Sequence, residues 1–247
     1  MSRVLVVTPT YLEAENIEEA LRRLRAAVPE ADVLVVDDNS PDGTADLAET
    51  IGAELGQVEV LRRPTKTGLG TAYRAGFSVG VERGYDVLVQ IDADLSHDPA
   101  ALPSLLRELE QGADLAIGSR YVPGGSVPHW PLWRRALSRW GNRYAGFMLG
   151  TGIADATAGY RAYPSGTLKA IDFTTTRAKG YGFQVETAYR VRQWGGRVVE
   201  VPITFTDRVR GNSKMTWRIA LEELSLFTWW GIRDRVRGRR AKRKAVV

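Results

Sequence analysis

Five short, largely apolar runs, at residues 4–7, 33–36, 58–61, 87–91 and 115–117, alternate with stretches of helical periodicity, and each run stops at polar or glycine-containing residues. After the first run, Ile17, Ala20, Leu21, Leu24 and Val28 recur at helical spacing. Further helices are predicted from Thr44, a residue able to cap one, through Ile51, over 68–81, and from Asp98-Pro99, where an aspartate cap precedes a proline of the first turn. Strands apolar at nearly every position are buried on both faces. The pattern therefore predicts an α/β fold, a mostly parallel sheet with helices on both sides. Ligands of such sheets bind beyond the carboxyl ends of the strands. The polar segments after the first, second and fourth runs are thereby gathered along one edge.

The fourth run ends in Asp92-Ala93-Asp94. Residues two apart on a strand point to the same side, so the two carboxylates can share one hard divalent cation whose other ligands are diphosphate oxygens. The plain alternative is a pair of hydrated aspartates. After the first run, Tyr11 and Glu13 can pack on and hydrogen-bond a base and ribose, or Glu13 can simply favour a helix entry. Asp37-Asp38 ends the second run in the same layer, followed by Asn39-Ser40-Pro41-Asp42-Gly43, good turn chemistry. Gly68-Leu69-Gly70 lacks the third glycine of a dinucleotide loop, Tyr73 standing there, and no Gly-x4-Gly-Lys-Ser/Thr occurs. Those glycines are expected to permit close helix packing, with Lys66 aimed at a phosphate. Arg120, Arg134, Arg135, Arg139 and Arg143 follow the fifth run, with Ser138 four after Arg134. Guanidinium forks suit phosphate oxygens, and solvated helix charges are the alternative.

The 247 residues include no cysteine and two histidines, His97 and His129. That excludes disulfides and thiolate metal sites, points to a reducing compartment, and argues against a multi-histidine zinc site. The net charge of +5 is local: eight basic residues and one acid lie from Arg233 onward, against 26 basic and 28 acidic residues before it. Such a tail suits nucleic acid, an anionic membrane surface or a merely solvated end. All seven tryptophans fall in the second half. Helices are predicted there over 130–149 and 183–193, a strand over 197–205, and a helix over 216–235 with a stripe of Ile219, Leu221, Leu224, Phe227 and Trp230. Its longest uncharged run, 224–232, is far short of the roughly 20 residues a membrane span needs. Residues 1–215 are expected to form the catalytic domain, and 216–247 an amphipathic helix and basic tail that either attach to a membrane surface or pack on the core.

The motifs occur in a familiar order: Pro9-Thr10-Tyr11-x-Glu13-x-Glu15-Asn16-Ile17, Val35-Val36-Asp37-Asp38-Asn39-Ser40-Pro41-Asp42-Gly43-Thr44, Gly68-Leu69-Gly70-Thr71-Ala72-Tyr73, Asp92-Ala93-Asp94-Leu95-Ser96-His97, Gly118-Ser119-Arg120-Tyr121, and Asp207-Arg208 to Ser213-Lys214. This series resembles the family-2 glycosyltransferases of GT-A fold, and within them the polyprenol (dolichol) phosphate mannose synthases. The resemblance implies a GDP-mannose donor, a polyprenyl monophosphate acceptor and Mg2+ or Mn2+. It implies that Pro9, Tyr11, Glu13, Val36 and Asp38 hold the guanosine, and that Asp92, Ala93 and Asp94 sit at the diphosphate. The metal is placed on Asp94 with Asp92 nearby, and Ser96 stands where some relatives carry glutamine. Arg208 and Lys214 are implied to clamp the donor phosphates. Arg120, Arg134 and Ser138 are implied to hold the acceptor phosphate, with Arg135 competing with Arg134. A cytoplasmic enzyme, peripheral at the cytoplasmic face of a membrane and open to a membrane-anchored partner subunit, is the expected setting.

A hydroxyl acceptor usually needs a general base. A phosphate monoester, with a second pKa of about 6, is already mostly dianionic at neutral pH. It needs positioning and charge neutralisation, and the catalytic set is then Asp92, Asp94 and Arg120 with no protein nucleophile. The competing expectation in the same fold is another nucleotide sugar, UDP-glucose for example, or a saccharide hydroxyl acceptor, with Asp155 as base. Nucleic acid is not an expected partner, because acids at the strand ends repel phosphates.

Overall fold

The computed structural model describes residues 2–178, 180, 182–207 and 224–236. Arg208, Lys214, the start of the helix predicted from 216 and most of the basic tail lie outside them. In chain order the elements are β1 (Val4–Thr10), α1 (Ile17–Ala27), β2 (Asp32–Asp37), α2 (Thr44–Leu55), β3 (Val58–Arg62), α3 (Leu69–Glu82), β4 (Val87–Gln90), α4 (Leu102–Glu110), β5 (Leu115–Ser119), α5 (Leu132–Leu149), β6 (Arg161–Pro164), α6 (Ser165–Ala170), α7 (Gly182–Trp194) and β7 (Val198–Pro202). A last helix, α8, spans 224–236.

The seven strands form one sheet in the order β3-β2-β1-β4-β6-β5-β7. All pairs are parallel except those of β6, which runs antiparallel to β4 and β5. Alternation along the strands sorts the core into two layers. Val4 and Val6 face one side with Ile17 and Leu21, whereas Leu5 and Val7 face the other with Phe77 and Phe183. Gly70 fulfils its expected packing role: a Cβ there would come within 2.7 Å of the Ala178 carbonyl and 2.8 Å of Phe183, so α3 can approach α7 only without a side chain.

One strand is unexpected, and two local expectations are corrected. The strand β6 carries no apolar run to announce it. It begins with Arg161, which is fully buried, and ends at a proline. Thr44 is the first residue of α2 rather than its cap, which is Gly43. The Thr44 hydroxyl instead donates to Asp42 and accepts the Glu13 N–H at 3.0 Å. The strand predicted over 197–205 stops at Pro202, and Thr204 and Phe205 make only isolated bridges to Ser126 and His97.

Helix α8 buries Phe227 and Trp230 in the same cluster as α7, with the Trp230 and Tyr189 rings stacked at 6.0 Å. Its other face exposes Trp229, Ile232 and Val236. Among the described residues, no helix is long and apolar enough to cross a membrane.

Candidate active site

Parallel pairing of β1 with β2 sets Thr10 opposite Asp37, so the segments beyond them leave the sheet side by side. Asp37 is an anchor: it accepts from Thr10 Oγ1 at 2.9 Å and from the Ser40 N–H and hydroxyl. Asp38 is buried, and its Oδ1 lies 2.6 Å from Nη1 of Arg63. Lys66, expected at a phosphate, lies with Nζ 3.8 Å above the Tyr11 ring. The Glu13 side chain accepts from Asn16 at 2.8 Å. Pro9 is partly exposed at the end of β1, and the Val36 side chain is fully buried against α3.

Burial pushes the Asp38 carboxyl above its ordinary range, while Arg63 pulls the other way. An acid raised on folding favours the folded state most below its unfolded pKa. That contribution is lost as pH rises through the folded value, so at neutral pH its charge weighs against folding. Asp38→Asn is therefore expected to keep or raise the melting temperature at pH 7 while weakening GDP binding about tenfold or more. A lower melting temperature with unchanged GDP affinity would assign Asp38 to the fold instead.

Beyond β4, Oδ1 of Asp92 accepts from the Tyr73 hydroxyl at 2.8 Å. Burial, then the charge of Asp92, raises that phenol well above its usual range, so it stays a donor. Asp94 is buried and its Oδ1 accepts both the N–H and the hydroxyl of Ser96, at 3.1 and 2.5 Å. Ser96 thus orients Asp94. Opposite lies Gly159, where a Cβ would stand 3.1 Å from Asp92 Oδ2 and 3.5 Å from His97 Nε2. His97, a residue assigned no role from sequence, packs against Tyr160 and Phe205. Among the described residues, no three His, Cys, Asp or Glu side chains gather into a metal cage. Two acids at one strand end fit a hard cation only if a bound diphosphate completes its oxygen shell.

Arg120 lies at the end of β5 and is almost wholly buried. Its Nε and Nη2 form a fork on Asp155, at 2.7 and 2.6 Å, and its backbone N–H reaches the same carboxylate at 2.9 Å. Burial opposes its charge, but the Asp155 bonds win and hold the guanidinium above its ordinary range. Asp155 is fully buried, and the N–H groups of Ala154 and Asp155 are held by Glu200 of β7. The Arg120 guanidinium also lies between the rings of Tyr121, Trp130 and Phe205, 5.3 to 5.5 Å from each centroid. Arg134 of α5 shares the Trp130 ring at 4.1 Å and pairs with Asp207. Arg135 turns instead to the Val127 carbonyl. Ser138 is partly exposed one turn along α5. Two arginines thus meet over one indole ring, whose buried Nε1, like the Tyr121 hydroxyl, has no hydrogen-bond partner among the described residues. Among the described residues, the expected side chains therefore collect into an end with Tyr11, Glu13 and Asp38, a carboxylate pair, and an end with Arg120 and Arg134. Arg63, Trp130, Asn142, Thr157 and Glu200 belong to the same surroundings but carry no motif of their own.

The family profile described as glycosyl transferase family 2 matches residues 5–171. The undecaprenyl-phosphate mannosyltransferase of Micrococcus luteus is 55% identical over 240 residues, spanning 97% of this chain and 98% of its own. The polyprenol monophosphomannose synthase of Mycolicibacterium smegmatis is 50% identical over 240 residues, spanning 96% of this chain and 91% of its own. Among solved structures, a mannosyltransferase from Pyrobaculum calidifontis in complex with GDP-Man and Mn2+ superposes with a TM-score of 0.64 at 18% identity, covering 94% of this chain and 64% of that one. At that identity the likeness speaks to the fold.

Proposed function

The chain belongs to glycosyl transferase family 2, and on that premise we propose that it transfers mannose from GDP-mannose to a polyprenyl monophosphate, inverting the anomeric carbon. The observation that carries this reading is the state of Asp155. This acid, the candidate base for a hydroxyl acceptor, is fully buried and bound on both oxygens by Arg120. A base must reach the proton it takes. A phosphate acceptor has no proton to give up, and the pair Arg120 and Arg134 suits its charge.

The reaction is a single in-line displacement. An acceptor phosphate oxygen bonds to C1 of mannose as the bond from C1 to the β-phosphate oxygen breaks, and its electron pair leaves with GDP. Tyr11, Glu13 and Asp38 hold the nucleoside. Asp92 and Asp94 would hold a divalent cation, Mg2+ or Mn2+, which when bound offsets charge on the departing diphosphate. Tyr73 and Ser96 hold those two carboxylates in place. Arg208 and Lys214 are assigned to the same diphosphate. Arg120 and Arg134 orient the attacking phosphate and, with Trp130, exclude water around it. Incubation with labelled GDP-mannose or UDP-glucose and a short polyprenyl phosphate tests this. The expected product is β-linked mannosyl phosphate from GDP-mannose alone, formed more slowly below about pH 6, where the acceptor gains a proton. An α-linked product or a trapped glycosyl-enzyme would overturn it.

Such an acceptor resides in a bilayer, and α5 has a face suited to one. Trp133, Leu137, Trp140 and Phe147 recur at helical spacing along it and are 67%, 60%, 53% and 72% exposed. Arg233 and Arg235 of α8 lie over the neighbouring Trp229 and Phe147 rings. Exposed aromatics flanked by arginines suit a lipid interface with anionic headgroups. We assign peripheral attachment at the cytoplasmic face of a membrane to α5 together with α8. Trp133→Glu is expected to weaken sedimentation with phosphatidylglycerol vesicles about tenfold at unchanged GDP affinity. Undiminished vesicle binding would move the attachment to the basic tail.

A further inference from the structure

The segment from Asp155 to Arg161 links Arg120 to α5 through side chains that no motif assigns. The Thr157 hydroxyl accepts from Arg120 Nη2 at 3.0 Å and from Asn142 Nδ2 at 3.1 Å, and its backbone N–H donates to Asn142 Oδ1 at 3.1 Å. Asn142 is buried on α5, and the same Nδ2 also donates to the Ser138 carbonyl at 3.1 Å. Its amide orientation is settled by these partners, because the Thr157 N–H can only donate and the Ser138 carbonyl can only accept. From below, the fully buried Arg161 holds the Ala156, Ala158 and Gln184 carbonyls through its guanidinium, so the segment is tied to β6 and α7.

The two proposed phosphate-binding arginines come from different elements, Arg120 from the end of β5 and Arg134 from the first turn of α5. They are separated in the chain by the loop 121–131. A phosphate held by both needs their separation set to within a fraction of an ångström. The Arg120–Thr157–Asn142 chain is a direct side-chain connection between these two elements that does not pass through that loop. We infer that Thr157 and Asn142 are positioning residues that set the separation of Arg120 from Arg134 and Ser138, and with it the affinity for the acceptor's monophosphate. The inference rests on the reading that Arg120 and α5 hold that phosphate.

The test uses the full chain with GDP-mannose and farnesyl monophosphate, a short acceptor that needs no bilayer. Thr157 is solvent-exposed, so Thr157→Val is expected to fold, as checked by its melting temperature. It is expected to raise the acceptor KM about tenfold, the worth of one hydrogen bond to a charged group, and to weaken competitive inhibition by inorganic phosphate in parallel. The KM for GDP-mannose and the Kd for GDP with Mn2+ should stay within about twofold, and Thr157→Ser should restore the acceptor KM. Asn142→Ala in the Thr157→Val background should add little, because the two lie on one connection. An unchanged acceptor KM in Thr157→Val, equal changes for donor and acceptor, or failure of serine to rescue would each overturn the inference. Arg120→Lys separates it from its premise. A normal acceptor KM in that variant would remove Arg120 from the phosphate site altogether. A raised KM there, beside a normal one in Thr157→Val, would overturn only the bridge.

Discussion

Asp94→Ala is expected to lower metal-dependent mannosyl transfer by about 10³-fold or more, the scale of losing the main electrostatic support of a leaving group. The side chain is buried at the end of β4, with one oxygen already held by Ser96. Its carboxylate is the proposed ligand for the cation, and alanine cannot replace it. The loss should be one of turnover and of metal-dependent nucleotide affinity together. In wild type, Mn2+ should tighten GDP binding in calorimetry, and in the variant the affinity should be the same with and without metal. Asp92→Ala should be less severe for metal affinity, because the cation is proposed to rest chiefly on Asp94 with Asp92 beside it. Full activity of Asp94→Ala with Mn2+ would remove the metal from this pair.

Asp155→Ala is expected to destabilise the protein by about 3–5 kcal/mol, because it leaves the charge of Arg120 buried without a partner. Burial alone would work against that charge, and the bonds from Asp155 are what hold the guanidinium above its ordinary range. The corresponding drop in melting temperature is roughly 6–20 °C for a chain of this size. Asp155→Asn keeps the shape and part of the hydrogen bonding, so its loss should be smaller. The pair also decides between the two acceptor chemistries. A structural partner of Arg120 predicts a fall in melting temperature and a raised acceptor KM, with the acidic limb of the pH profile still near the second ionisation of the acceptor. A general base predicts a collapse of kcat in Asp155→Asn at unchanged stability.

How much was legible from sequence differs along the chain. The strands β1, β2, β4 and β5 were visible because each is buried on both faces and must be apolar nearly throughout. Their parallel order puts Tyr11, Asp38 and Asp92 on a common edge, as their place after the runs implied. The strand β6 was invisible for the opposite reason. It is only four residues long and opens on a buried arginine, whose charge is satisfied by the Ala156, Ala158 and Gln184 carbonyls, and no local pattern records a partner that lies 23 residues away. The role of Asp155 was likewise hidden. An isolated acid in sequence reads as a base or as a hydrated carboxylate, and only its bonds to Arg120, 35 residues earlier, show that it is already spent. Helix α8 shows the same division: its apolar stripe was plain, but whether it faced lipid or protein depended on α7, whose Tyr189 takes one face and leaves Trp229 and Ile232 outside.

By itself, then, the sequence determined the α/β class, the edge on which the site lies and the chemical types present there, because periodicity and strand-end chemistry are local properties written into short stretches. Tertiary structure alone decided which charges are free to act. The same aspartate can be ligand, base or counter-ion. Arg120 binds both oxygens of Asp155, Arg63 restrains Asp38, and Ser96 turns Asp94, because a buried charge takes its state from whichever group the fold brings within hydrogen-bond reach.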